Sequence, residues 1–169
     1  MHAFVSHCCV LTLALCLAAT TFAEDPDFAS QVDGTWKSDW TLTKKHLDEQ
    51  CKLSDEAVAG LQRLMGKMTI QYTGKRAVFT MPAIKFTRDG TEKTIEGWTR
   101  TEVLDVVGRT KTTIALRTKA VAPPVDGDSI SLMHFVDADT YWVYLGDSPL
   151  VDMHVREYFR RVPAVEKRE

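Results

Sequence analysis

The first 23 residues contain no Asp, Glu, Lys or Arg. Within them, Val10 to Ala19 forms a nearly continuous apolar run, at about ten residues well short of the ~20 that a membrane-crossing helix needs. Thr21-Phe22-Ala23 sets small residues at −3 and −1 to a cleavage point, and Glu24-Asp25-Pro26 begins polar sequence. That is the layout of a secretory signal peptide. It departs from the usual form in one respect, since the n-region offers only His2, His7 and the amino terminus as positive groups. The alternatives are a buried N-terminal helix of the mature domain and lipid attachment through Cys16, against which the bulk of Leu15 stands.

Cysteine is scarce where it could matter. Three of the four cysteines, Cys8, Cys9 and Cys16, fall in the signal segment and leave Cys51 alone. The mature chain can form no internal disulfide, so packing must hold it. Cys51 reads most simply as a small buried hydrophobe, one helical turn after Leu47. A reactive thiol and an intermolecular bridge stay open. No Cys/His pair at metal-ligand spacing surrounds it. Asn is absent altogether, which excludes N-glycosylation and leaves turns to Asp-Gly, found at Asp33-Gly34, Asp89-Gly90 and Asp126-Gly127. Neither sign of charge dominates: 21 basic and 23 acidic residues leave a net charge of −2. Such a balance points to neither nucleic acid nor an anionic membrane as partner. No later stretch is apolar for long enough to span a bilayer.

What is present is mostly β pattern. Gly34 to Leu42 alternates, with Trp36, Trp40 and Leu42 on one face, and is predicted as a half-buried strand. One helical region follows. Thr43 can cap a short helix to about Cys51, and Ser54 can cap a second that carries Asp55 and Glu56 in its first turn and stops at Gly66. Strands and turns then alternate: Met68–Thr73, Arg76–Met81, Ala83–Thr87, a long Thr94–Val106 with a bulge at Gly97, Thr110–Thr118, Ser129–Val136, Thr140–Leu145 and Asp152–Val162. The fold class is therefore mostly β, an antiparallel up-and-down barrel or a strongly curved sheet with a short helix pair between its first and second strands. The expected organisation is a signal peptide over 1–23, a flexible leader over 24–32, one barrel domain over 33–163 and a frayed tail over 164–169. The protein is expected to be exported, periplasmic or secreted.

Three features point to a family. Gly34-Thr35-Trp36 opens the first strand, a helix pair follows that strand, and Arg156-Glu157-Tyr158 lies on the last strand, after Tyr141-Trp142-Val143-Tyr144. This layout resembles the calycins, the lipocalins and fatty-acid-binding proteins. In them Gly-x-Trp opens the barrel, an Arg on the last strand often packs over that Trp, and an Arg-x-Tyr can hold a ligand carboxylate. Export departs from the intracellular branch, and the missing disulfides depart from the secreted one. The resemblance implies an exported binder of an apolar or amphipathic small molecule, a lipid or fatty acid among the candidates, with Arg156 and Tyr158 as its polar anchor. Trp40, Tyr72, Phe79 and Trp142 would form the wall, and Gly34 and Trp36 the structural signature. Arg156 and Tyr158 share one strand face, and guanidinium plus phenol suits a carboxylate. The opposite parity, with Glu157 inside, is the competing arrangement.

Two other functions stay open. One is an exported interaction or scaffold module with a filled core. The other is a barrel enzyme using His134 or His154 as acid-base, which requires a carboxylate beside it in a cleft. No cofactor or phosphate-binding motif occurs. Two of His46, His134 and His154 could bind zinc if they converged with Asp152 or another carboxylate, and the spacing does not indicate it. The oligomeric state is not legible.

Overall fold

The computed structural model describes residues 31–120, 128–145 and 154–163. The expected signal segment, most of the leader, the Pro123-Pro124 loop, Gly146-Asp147-Ser148-Pro149, Asp152 and the tail from 164 lie outside the described residues.

Alternating sequence becomes ten strands: β1 Gly34–Ser38, β2 Thr69–Thr73, β3 Arg76–Met81, β4 Ile84–Arg88, β5 Thr91–Ile95, β6 Trp98–Arg109, β7 Thr113–Ala120, β8 Asp128–Asp137, β9 Thr140–Tyr144 and β10 Arg156–Arg161. Helices α1 (Trp40–Gln50) and α2 (Asp55–Leu64) follow β1. Eight strands close into a barrel in the order β1-β10-β9-β8-β7-β6-β3-β2. Every adjacent pair is antiparallel, and β1 pairs with both β10 and β2. The open curved sheet is thus excluded. Apart from that closure, the neighbours follow chain order. The exception is β3 to β6, between which β4 and β5 make a separate hairpin.

The first strand is shorter than its alternation predicts. It stops at Ser38 because Asp39 caps α1, its Oδ1 accepting from the Leu42 amide at 3.0 Å. Trp40 therefore opens a helix and does not sit in a strand. The helix cap is Asp39 and not Thr43, whose hydroxyl has another task. Helix α1 runs beside the part of β10 that β1 leaves uncovered. The Asp39 amide donates to the Tyr158 carbonyl at 2.8 Å, and the Tyr158 amide donates to Thr43 Oγ1 at 3.0 Å. Ser54 caps α2 as expected, accepting from the Ala57 amide.

Between the helices and the start of β10 lies a small second core of Leu47, Met65 and Val155, with Trp40, Cys51 and Leu61 packed against it. Cys51 is half-buried there, as a packing residue would be. Gly66 follows α2 at φ +78°, and a Cβ on it would stand 2.6 Å from Trp40 Cβ. Gly66→Ala is therefore expected to cost about 2 kcal/mol from left-handed strain and a displaced Trp40, read as a lower denaturation midpoint with an unchanged slope.

The long strand predicted from Thr94 is two strands. Chain crossing at Gly97, where a Cβ would meet the Ala83 nitrogen at 2.7 Å and the Met81 oxygen at 2.9 Å, separates β5 from β6. The bulge instead falls between Val106 and Gly108, inside β6.

The barrel interior is graded in size. Trp36, Phe135, Tyr141 and Phe159 fill the end away from the helices, together with Val32 and Ile114. Inward positions toward the helical end include the smaller Ser38, Thr118, Ser131 and Val143. No described helix is long and apolar enough to cross a membrane.

Candidate functional site

That gradient leaves a cavity of about 180 Å³ inside the barrel, toward the helical end. Tyr72, Phe79, Tyr141 and Phe159 give it aromatic walls, and Leu104, Leu116 and Met133 give it aliphatic ones. Of the expected wall residues, Tyr72 and Phe79 line this cavity. The Tyr72 and Tyr141 hydroxyls are 3.3 Å apart and fully enclosed. Burial pushes the Tyr72 phenol up to about 12, and it pushes Tyr141 up as well.

Two carboxyls are drawn inside. Glu102 on β6 is buried and paired with Arg100 Nε at 2.7 Å. Arg100 reaches the cavity and lies over the Phe79 and Trp98 rings. Glu157 on β10 is the other. The Ser38 hydroxyl donates to its Oε1 at 2.5 Å, and the Gly66 amide donates to Ser38 Oγ at 2.7 Å. Burial pushes the Glu157 carboxyl above its ordinary range, while Ser38 and the Gly66 amide pull it back. The break between α2 and β2 is thereby tied to the cavity through one serine.

Glu157 and Phe159 point inward, so their neighbours Arg156 and Tyr158 point outward. This corrects the expected placement of Arg156 and Tyr158, neither of which faces the cavity. Arg156 lies flat over the outer face of Trp142, 3.9 Å from the ring centroid. Trp142 also stacks on His134 at 4.0 Å, so it belongs to the outer surface and not to the wall. Tyr158 packs against His46 of α1. Trp40 sits in the helical core. The expected anchor is in reality a cation–aromatic ladder across the outside of β8, β9 and β10. Beside it Ile130, Leu132 and Val136 of β8 are exposed. The chain has no significant match among family models, curated proteins or solved structures.

The arginine that does pack over Trp36 is Arg161. Its guanidinium lies 4.3 Å from the Trp36 ring. It donates to the carbonyls of Asp33 at 2.5 Å and Gln31 at 2.7 Å, and pairs with Asp139 at 3.1 Å. Trp36 Nε1 donates to the Val32 carbonyl at 2.8 Å. Gly34 has φ +122°, and its missing side chain leaves Arg161 room to pass, since a Cβ would stand 3.2 Å from Nη1. Gly34, Trp36 and Arg161 meet where β1 pairs with β10, at the barrel end away from the helices. Arg161 was not singled out from the sequence, although its parity matches that of Phe159 and its register partner is Trp36.

Among the described residues, His134 and His46 are held by partners other than carboxylates. His134 Nδ1 is 3.1 Å from the Thr113 hydroxyl, and burial followed by the nearby Arg156 lowers its pKa. His46 Nε2 donates to the His154 carbonyl at 2.8 Å, and the His154 side chain is exposed. Among the described residues no group of three His, Cys, Asp or Glu side chains is placed to hold a metal ion.

Proposed function

We propose that this chain is an exported carrier of a small apolar or amphipathic molecule, held inside a calycin-like barrel. The observation that carries the reading is the partly open cavity of about 180 Å³ bounded by Tyr72, Phe79, Tyr141 and Phe159. An apolar cavity of roughly 150 Å³ accommodates benzene, so the ligand is of ring size and not a full-length acyl chain. The closed barrel, the helix pair after β1 and Arg161 over Trp36 support the calycin likeness. The uncharged N-terminal segment supports export, for which N-terminal sequencing of the secreted protein should find Glu24 first.

NMR titration with benzene tests the carrier. The methyl groups of Leu104, Leu116 and Met133 are expected to shift and saturate. Ser131→Leu, which fills the cavity from β8, should abolish those shifts while the barrel stays folded. A wild-type barrel whose interior methyls ignore benzene, and which instead self-associates or retains a protein partner through Ile130, Leu132 and Val136, would be an interaction module and not a carrier.

A further inference from the structure

We infer that the cavity selects a ligand with one positive charge, an ammonium group on a ring-sized apolar body, and that Glu157 is its counter-ion. This rests on the reading of the cavity as a binding site and names the chemistry the site prefers. Glu157 is 6% exposed and lines the cavity. Carboxylates buried to that extent are ordinarily paired with a cation, because removing a charge from water is expensive. Glu102 follows that rule through Arg100. Glu157 does not: the Ser38 hydroxyl and the Gly66 amide are its donors, and among the described residues no Lys, Arg or His pairs with it.

Among the described residues Arg100 is the basic side chain lining the cavity, and it is already matched by Glu102. The segments 121–127 and 146–153, which connect β7 to β8 and β9 to β10, bring no basic side chain. They contain Asp126, Asp147 and Asp152 but no Lys, Arg or His. Among the described residues Glu157 therefore stands beside the aromatic rings of the cavity with no cation paired to it, and a bound cation would favour its ionised form. A cation is attracted both by the carboxylate and by the ring faces. A carboxylate ligand meets Glu157 with like charge, and the arginine once expected to receive it lies on the other side of the sheet. The preference expected from the family layout is therefore reversed in sign.

Calorimetric titration with three probes of nearly equal size separates the possibilities: benzylammonium, benzyl alcohol and benzoate. The wild-type protein is expected to bind benzylammonium at least about tenfold more tightly than either of the others, the factor that one charge-assisted hydrogen bond supplies. In Glu157→Gln the ratio of benzylammonium to benzyl alcohol should fall to near parity. Benzyl alcohol binding as tightly as benzylammonium to the wild type, or an undiminished ratio in Glu157→Gln, overturns the inference and leaves the carrier standing. Failure of all three probes, with benzene also excluded, removes the carrier and the inference together. If Glu157→Gln does not fold, the wild-type ranking of the three probes decides alone.

Discussion

Trp36→Ala is expected to destabilise the barrel by about 3–5 kcal/mol, the range for truncating a fully buried aromatic. Trp36 has no exposed surface and meets Tyr141 edge-on at 4.8 Å, Phe135 at 6.2 Å and Arg161 at 4.3 Å. Its removal would open a void beside Tyr141 and Phe135, and neighbours held in strands can collapse into it only in part. Arg161→Lys should cost about 1.5–3 kcal/mol, since a single ammonium cannot reproduce a planar fork that reaches three backbone carbonyls and Asp139 at once. Arg156→Ala provides the contrast. It removes a cation over Trp142 on the half-exposed outer face and should cost only about 0.5–1 kcal/mol. Urea denaturation of the three variants measures the order. Should Arg156→Ala prove as costly as Arg161→Lys, the assignment of Arg161 as the closing arginine fails.

These two arginines also show where the sequence was legible. Alternation identified the barrel strands because one face of each is apolar: Ile70 and Tyr72 are buried while Gln71 and Thr73 are exposed. Ser54 and Gly66 were readable because caps and helix stops have local chemistry. Which face looks inward is a separate question, and alternation does not answer it. On β10 the answer lay in Val155 and Phe159, two apolar residues sharing the parity of Glu157. The family-like Arg-x-Tyr drew attention to the wrong face. On β8 both faces are apolar, with Ile130 and Leu132 outside and Met133 and Phe135 inside, so local pattern had nothing to decide with. Trp40 was misplaced because residues 36 and 40 share a face at the strand period and, one turn apart, at the helix period as well. Asp39 breaks that tie only when it is seen as a cap. The cavity was the least legible feature, because it depends on the summed volumes of inward residues from different strands. Thr118 and Ser131 leave space only because they converge at the same end.

Raising the pH through the tyrosine range is expected to cost the folded barrel about 3 kcal/mol through Tyr72 alone. An unfolded tyrosine ionises near pH 10, whereas Tyr72 in the fold keeps its proton up to about 12. Below the unfolded value both states are protonated and stability is unaffected. Above it the unfolded chain loses its proton first, so stability falls as pH rises and the loss is complete once the folded phenol also ionises. Two units at about 1.4 kcal/mol each give the magnitude. Tyr141, pushed in the same direction and bonded to Tyr72, titrates with it as a pair. Tyr72→Phe alone should destabilise at neutral pH by about 1–3 kcal/mol, because it strands the Tyr141 hydroxyl. The double variant Tyr72→Phe with Tyr141→Phe should fare better than that single variant and lose most of the alkaline limb. Urea midpoints followed from neutral to strongly alkaline pH, alongside tyrosinate absorbance, measure both effects. The same alkaline limb in wild type and double variant would mean that water reaches these phenols in the fold. A cavity whose aromatic wall is open to water in that way could not hold an apolar ligand, so the alkaline limb tests the enclosure on which binding depends.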